Sequence, residues 1–224
     1  MELETERLRL IPLSRSQLEL LLADRGALEQ ALGLEVSGAA LEPELREAVE
    51  NDMLAGMAAH GAADLWYTEW QIVLKAQRRI IGGLCFKGPP NAEEVVEIGY
   101  GLQPPYRGRG YMTEAARAAL AWAFSQRGVQ AAAAEIERDN WPSQRVARRL
   151  GMAPYADQGQ FTYWGVERQE FGGQGAARPS PALTCSAAPE VGSSGAGLPG
   201  QPHPLPSPST GNPPRPRCQS GRVP

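Results

Sequence analysis

Proline divides this chain in two. Of its 20 prolines, 12 lie from Phe171 onward, and none of its five tryptophans does. That segment, 171–224, is dominated by Pro, Gly, Ser and Ala and cannot bury enough apolar area to offset the entropy of ordering it. The folding unit is therefore expected within residues 1–170, with 171–224 as a disordered tail. A proline-rich stretch such as 199–206 reads either as a docking segment or as an inert linker. The tail carries Arg178, Arg215, Arg217 and Arg222 against Glu190 alone, a net +3, so the chain's −3 leaves the body at −6. An acidic body argues against nucleic acid as the partner. Cys85, Cys185 and Cys218 are scattered, and His60 and His203 are the only histidines, so neither a disulfide framework nor a bound metal is expected. No run approaches the roughly 20 apolar residues of a membrane span. The opening MELETERLRL places acids where a signal peptide has basic and then apolar residues, so the expected setting is cytoplasmic, with no membrane partner.

The body reads as alternating elements. Leu8 and Leu10 alternate with Arg7 and Arg9 as in a half-buried strand. Ser14 caps a helical run through Leu18, Leu21 and Leu22, and a second helix is predicted over 43–60, with Leu45, Val49, Met53, Leu54 and Met57 on one side. Three apolar runs follow, 66–76, 80–87 and 95–102, separated by polar and Gly-Pro turns as in an antiparallel meander. An Ala-rich helix over 111–127, a strand over 130–138, a short helix over 141–150 and a hairpin pairing 152–156 with 161–166 complete an α+β order.

The chemistry concentrates in 97–113, EIGYGLQPPYRGRGYMT. Here a strand leaves through Pro104-Pro105 and enters a helix by way of Arg107-Gly108-Arg109-Gly110. Glycines admit a ligand close to the main chain, the first turn of a helix has unpaired N–H groups, and the macrodipole adds positive potential there. With Arg107 and Arg109 on the loop, a phosphate or pyrophosphate is the natural guest, although a Gly-rich turn with solvated arginines would read the same way. It is not a Walker loop, because Tyr111-Met112 follow the last glycine where Lys and Ser or Thr would be required. It is not a dinucleotide fingerprint either, because Thr113 stands where the third glycine belongs. On the incoming strand, alternation puts Val96, Ile98, Tyr100 and Leu102 on one face and Val95, Glu97, Gly99 and Gly101 on the other. A carboxylate beside two glycines is placed either to handle a proton next to a closely approaching ligand or to face solvent. Farther on, Asn140 can cap the helix that Pro142 opens.

Three stretches together, Glu97-Ile-Gly-Tyr100, Pro105 to Ala115 and Arg138 to Met152, resemble the GNAT superfamily of N-acetyltransferases, and the RimJ/RimL type most. The opening Glu4 to Leu10 is similar to that group's first strand, so the likeness spans about 3–168 and excludes the tail. It implies a GNAT-like, mostly antiparallel twisted sheet of about six to seven strands with helices on both faces. It implies acetyl-CoA as acetyl donor, held by Leu102, Arg107, Gly108, Arg109, Gly110, Tyr111, Met112, Thr113, Asn140 and Ser143. The arm of the donor would enter a V-shaped opening between splayed strands. Met112 departs from the family's small last loop residue, and Ala147 stands where many members carry a tyrosine acid.

Transfer to an amine requires that an ammonium lose a proton, from a pKa of about 8 for an α-amine or about 10 for lysine. Glu97, directly or through water, is the candidate base, and Ser143 or water is the candidate acid for the leaving thiolate; Tyr155 and Tyr163 are left unassigned. The expected acceptor is a primary amine, either a protein N-terminus or a small molecule, taken by a monomer or homodimer. The alternative is a catalytically silent acyl-CoA-binding module.

Overall fold

The computed structural model describes residues 1–61 and 65–172; the predicted tail, with Cys185, Cys218 and His203, falls outside them from 173 on. Eight strands form one sheet: β1 (Leu3–Glu4), β2 (Leu8–Pro12), β3 (Glu69–Leu74), β4 (Arg79–Phe86), β5 (Val95–Leu102), β6 (Ala131–Glu137), β7 (Ala153–Gln158) and β8 (Phe161–Glu167). Their order is β1-β2-β3-β4-β5-β6-β8-β7. The sequence shows seven of them. The eighth, β1, has two residues pairing Leu3 with Leu10 and Glu4 with Arg9, too few for alternation to be visible. Every described pairing is antiparallel except β5 with β6.

That parallel pairing is short. It joins Val95 to Ala131, Val96 to Ala132 and Glu97 to Ala133, and stops, while β5 continues to Leu102 and β6 to Glu137. The two strands diverge from Glu97 onward, and this is the V-shaped opening that the resemblance implied.

Helices cover both faces. On one, α5 (Tyr111–Ser125) and α6 (Trp141–Arg149) pack over Leu8, Leu10, Trp70, Ile72, Val96, Ile98 and Tyr100. The Ala richness of the sequence has its use here. Ala115, Ala116, Ala119 and Ala123 are fully buried in the same core as Ala132 and Ala134, and small side chains on both surfaces let the helix lie close to the sheet. Trp66 and Trp70 close this core against Trp122, with ring centroids 4.7 and 5.1 Å away, whereas Trp141 is exposed.

The opposite face is covered by α1 (Arg15–Ala23), α2 (Arg25–Ala31), α3 (Pro43–Ala48) and α4 (Leu54–His60) over a second core of Leu18, Leu21, Leu28, Val49, Met53, Met57 and Cys85. Ser14 and Gln17 form a reciprocal capping box that starts α1. The single helix predicted over 43–60 is interrupted: Val49–Met53 is a π-helical turn joining α3 to α4. The apolar spacing of Val49, Met53 and Met57 is compatible with either winding, so periodicity could not reveal the extra residue.

Candidate active site

A cavity of about 400 Å³ opens between the end of β5, the start of α5 and the start of α6. It is lined by Tyr100, Gly101 and Leu102 from β5, by Arg107, Gly108, Gly110, Tyr111, Met112 and Thr113 from the loop and first turn of α5, and by Asn140, Pro142, Ser143, Arg145, Val146 and Arg149. The local sequence explains this shape. Pro104-Pro105 end the strand, and Gly108 and Gly110 turn the chain with φ of 75° and 81°, a left-handed conformation that side chains resist. Gly110 is the N-cap of α5 and brings no side-chain acceptor. The amide of Glu114 is the first to reach a helical carbonyl, that of Gly110 at 3.1 Å. The N–H groups of Tyr111, Met112 and Thr113 are thus left as donors at the positive end of a 15-residue helix.

Charge follows the donors. Arg107 Nε donates to the Leu102 carbonyl at 2.8 Å, which folds its guanidinium back over the end of β5, and Arg145 and Arg149 face the cavity from one side of α6. Thr113 Oγ1 is buried in the lining region without a hydrogen-bond partner. Met112 is only 6% exposed and packs into the main core, so its bulk is taken up beneath the loop and the main-chain donors stay accessible. Arg109 differs from the other predicted loop residues: it is exposed and outside the lining, and its carbonyl accepts from Arg7 Nη1 at 3.1 Å.

Arg7 holds the loop from beneath. Its guanidinium pairs with Glu114 at 2.6 Å and lies 4.6 Å from the Tyr111 ring centroid, while the Thr5 hydroxyl donates to the same carboxylate at 2.6 Å. Burial by itself would raise the Glu114 pKa, but the Thr5 hydroxyl, the Arg7 amide and the Arg7 guanidinium outweigh it and hold the carboxyl below its ordinary value of 4.5.

Across the cavity, Asn140 caps α6, its Oδ1 accepting from the Ser143 amide at 3.1 Å. The Ser143 carbonyl in turn accepts from the Tyr100 hydroxyl at 3.3 Å, which ties β5 to α6 on the cavity wall. Burial pushes the Tyr100 phenol well above its usual range, more than its bond to Ser143 lowers it, so it stays protonated.

Glu97 is the last residue of β5 paired with β6, on the face away from α5 and outside the cavity lining. Its carboxylate forms an ion pair with Lys87, with the side chains 34% and 24% exposed. Beside this pair, the Tyr163 hydroxyl donates to Glu135 Oε2 at 2.8 Å, and Tyr155 lies 6.3 Å from Tyr163 between ring centroids. Burial, then the charge of Glu97, pushes the Tyr155 pKa to about 12. Neither tyrosine sheds its proton easily; burial and its bond to Glu135 raise Tyr163 as well.

Residues 7–153 match the Acetyltransferase (GNAT) domain. The chain belongs to the GNAT acetyltransferase family. It is 31% identical over 166 residues to the uncharacterized N-acetyltransferase YjdG of Bacillus subtilis (strain 168), a match covering 72% of this chain and 95% of that protein. Among solved structures its fold is similar to RimL, the ribosomal L7/L12 α-N-protein acetyltransferase, in complex with coenzyme A (TM-score 0.54, 16% identity, 75% of this chain and 98% of that one). It is also similar to a GNAT-family acetyltransferase from Bacillus anthracis (TM-score 0.52, 22% identity, 76% and 100%).

In this GNAT domain the fold brings nine of the ten predicted donor-binding residues into one cavity, leaves Arg109 beside it, and sets Glu97 at the vertex of the strand opening behind it. Sequence reasoning passed over Arg149, Tyr100 as a strut, and Lys87. Arg149 carried a signal, since it lies one helical turn after Arg145. Lys87 carried none, because only strand register sets it beside Glu97. Among the described residues no group of three or more His, Cys, Asp or Glu is arranged to hold a metal, and no helix is long and apolar enough to cross a membrane.

Proposed function

We propose that this acetyltransferase moves the acetyl group of acetyl-CoA to a primary amine by direct attack, as a RimJ/RimL-type enzyme. The observation that carries the reading is the single cavity that gathers the free donors of α5, three arginines and the buried Thr113 hydroxyl, alongside two strands that separate. The donor set fits a diphosphate-bearing group: main-chain N–H at a helix N-terminus and guanidinium groups are the common partners of phosphate oxygens. Arg107, Arg145 and Arg149 supply charge, Gly108 and Gly110 allow close approach, and Thr113 offers one more hydrogen bond.

Acetyl-CoA, when bound, supplies an acetyl group activated as a thioester. Main-chain N–H groups of β5 beyond Glu97, which β6 leaves unpaired, are placed to polarise a carbonyl oxygen in the opening. Glu97 takes the proton of the incoming ammonium, directly or through a water, and Ser143 or a water returns one to the departing sulfur. The acceptor is an α-amine of a protein or a small-molecule amine. The acidic body favours a cationic partner, and RimL's name carries the first of these acceptor classes.

The test is calorimetric titration of the full-length chain with acetyl-CoA, together with thiol release against a panel of N-terminal peptides and small amines. Micromolar binding weakened by Arg107→Ala, with thiol released for some amine, is the expected result. Binding with no release for any amine would instead describe a silent acyl-CoA-binding protein, and no binding by the folded chain would overturn the reading.

A further inference from the structure

Arginine supplies 20 of the 22 basic residues of this chain, and the only lysines are Lys75 and Lys87. Their surroundings differ. Lys75 lies toward the β1 edge of the sheet, its Nζ 2.8 Å from both Glu4 Oε2 and the Thr5 carbonyl, and its side chain is 36% exposed. Lys87 directly follows β4. Its amide donates to the Glu97 carbonyl at 2.9 Å, which sets the two side chains next to each other across the strands, and its ammonium is paired with the Glu97 carboxylate. Glu97 is where the pairing of β5 with β6 ends. The amine of Lys87 therefore sits on the proposed base, at the vertex of the proposed donor opening, where a protonated acceptor amine would have to sit.

We propose that Lys87 is itself an acetyl acceptor, and that the chain acetylates this side chain intramolecularly in the absence of another amine. This rests on the acetyl-CoA reading above. The ammonium of Lys87 loses a proton to Glu97, and the nitrogen lone pair then attacks the thioester carbonyl carbon. The new C–N bond forms as the C–S bond breaks with its electron pair going to sulfur. A second proton leaves the nitrogen and ends on the thiolate, so the products are an uncharged Nζ-acetyl amide, free coenzyme A and one proton passed from Glu97 to solvent. No further reactant is needed. The modified side chain has no charge with which to hold Glu97.

An arginine at this position would keep the ion pair but could not be deprotonated or acylated in this way. The groups facing Lys87 set its pace. Glu97 on β5 and Glu135 on β6 hold its proton on, with Cys85 of β4 a smaller contributor, and together they outweigh the burial that would release it. Asp52, on the π turn, lines with Lys87 a cavity of about 210 Å³ on the same face, and Tyr155 and Tyr163 stay protonated beside Glu97 and Glu135. The reaction should thus be slow at neutral pH and quicken about tenfold per pH unit while Lys87 remains mostly protonated.

The experiment incubates the full-length chain with acetyl-CoA and no acceptor, then follows Lys87 and Lys75 by peptide mapping and mass spectrometry. Unassisted acylation would favour the more exposed Lys75. The expected result is acetylation of Lys87 first, at a rate independent of chain concentration, strongly reduced in Glu97→Gln, and without preference over Lys75 in urea-unfolded chain. Lys87→Arg, which preserves the pair and so the fold, should take up no acetyl group at that position. Modification of Lys87 no faster than of Lys75, or at a rate proportional to chain concentration, would overturn the proposal. Parallel calorimetry and thiol release with external amines separate the two readings. Turnover of external amines, with Lys87 left unmodified in the amine-free incubation, sinks this proposal alone, whereas absence of acetyl-CoA binding sinks both.

Discussion

Glu97 shows how one residue's chemistry depends on a neighbour the sequence does not reveal. Read along β5, it is a carboxylate beside two glycines; in the fold it is half of an ion pair with Lys87, at the point where β6 departs. The pairing keeps a carboxylate at the vertex, and on the proposed mechanism an acceptor's ammonium would compete with Lys87 for it. If Glu97 is the base, Glu97→Gln should leave acetyl-CoA affinity unchanged in a calorimetric titration while kcat falls about a hundredfold or more. Turnover unchanged across the pH range would remove the carboxylate from the reaction.

Two helix starts build the cavity, and they are held by different devices. α6 is capped by its own Asn140. Asn140→Ala should cost about 1 kcal/mol in a denaturant titration, as loss of an N-cap usually does. Asn140→Asp keeps the cap acceptor but adds a negative charge to the cavity wall. Its stability should match that of the native chain, while affinity for the anionic donor drops; an unchanged affinity would leave Asn140 as a cap and nothing more. α5 has no side-chain cap and is tied from outside, by Arg7 and Thr5 through Glu114. Because the folded pKa of Glu114 is depressed, the stability this tie contributes is full above the ordinary carboxylate value of 4.5 and is lost as pH falls through the lower folded value. The stability difference between the native chain and Glu114→Gln should therefore be constant near neutrality and shrink in acid. A difference that does not change with pH would show that the ionised carboxylate is not what anchors the helix.

At the scale of the whole molecule, two helical layers clamp one sheet whose strands separate in the middle, and the chain past β8 is still part of the packing. Phe171 meets Phe124 with ring centroids 4.9 Å apart, so the folded body runs beyond the proline-derived boundary at 170. A chain ending at Gly172 should melt higher than one ending at Glu170, by about 2–4 °C for each kcal/mol that the ring contributes; equal melting temperatures would make the contact incidental. The rest of the architecture divides between what is local and what is not. Strand alternation, the Pro-Pro and Gly-x-Gly turns, the Asn140 cap and the change of composition near 170 act over a few residues, and from them alone most elements, their sequence along the chain and the glycine turn that opens α5 could be read. The two-residue β1 depends on pairing with β2, and the π turn at Val49–Met53 buries Val49 and Met53 in the core that also holds Leu18 and Leu21, so neither leaves a local trace. Lys87 and Glu97 are ten positions apart with a turn between them, and Arg7 and Glu114 are separated by most of the folded body. Their meeting is decided by strand register and by how α5 docks on the sheet, because an ion pair is a matter of distance in space and a chain's local preferences constrain only its neighbours in sequence.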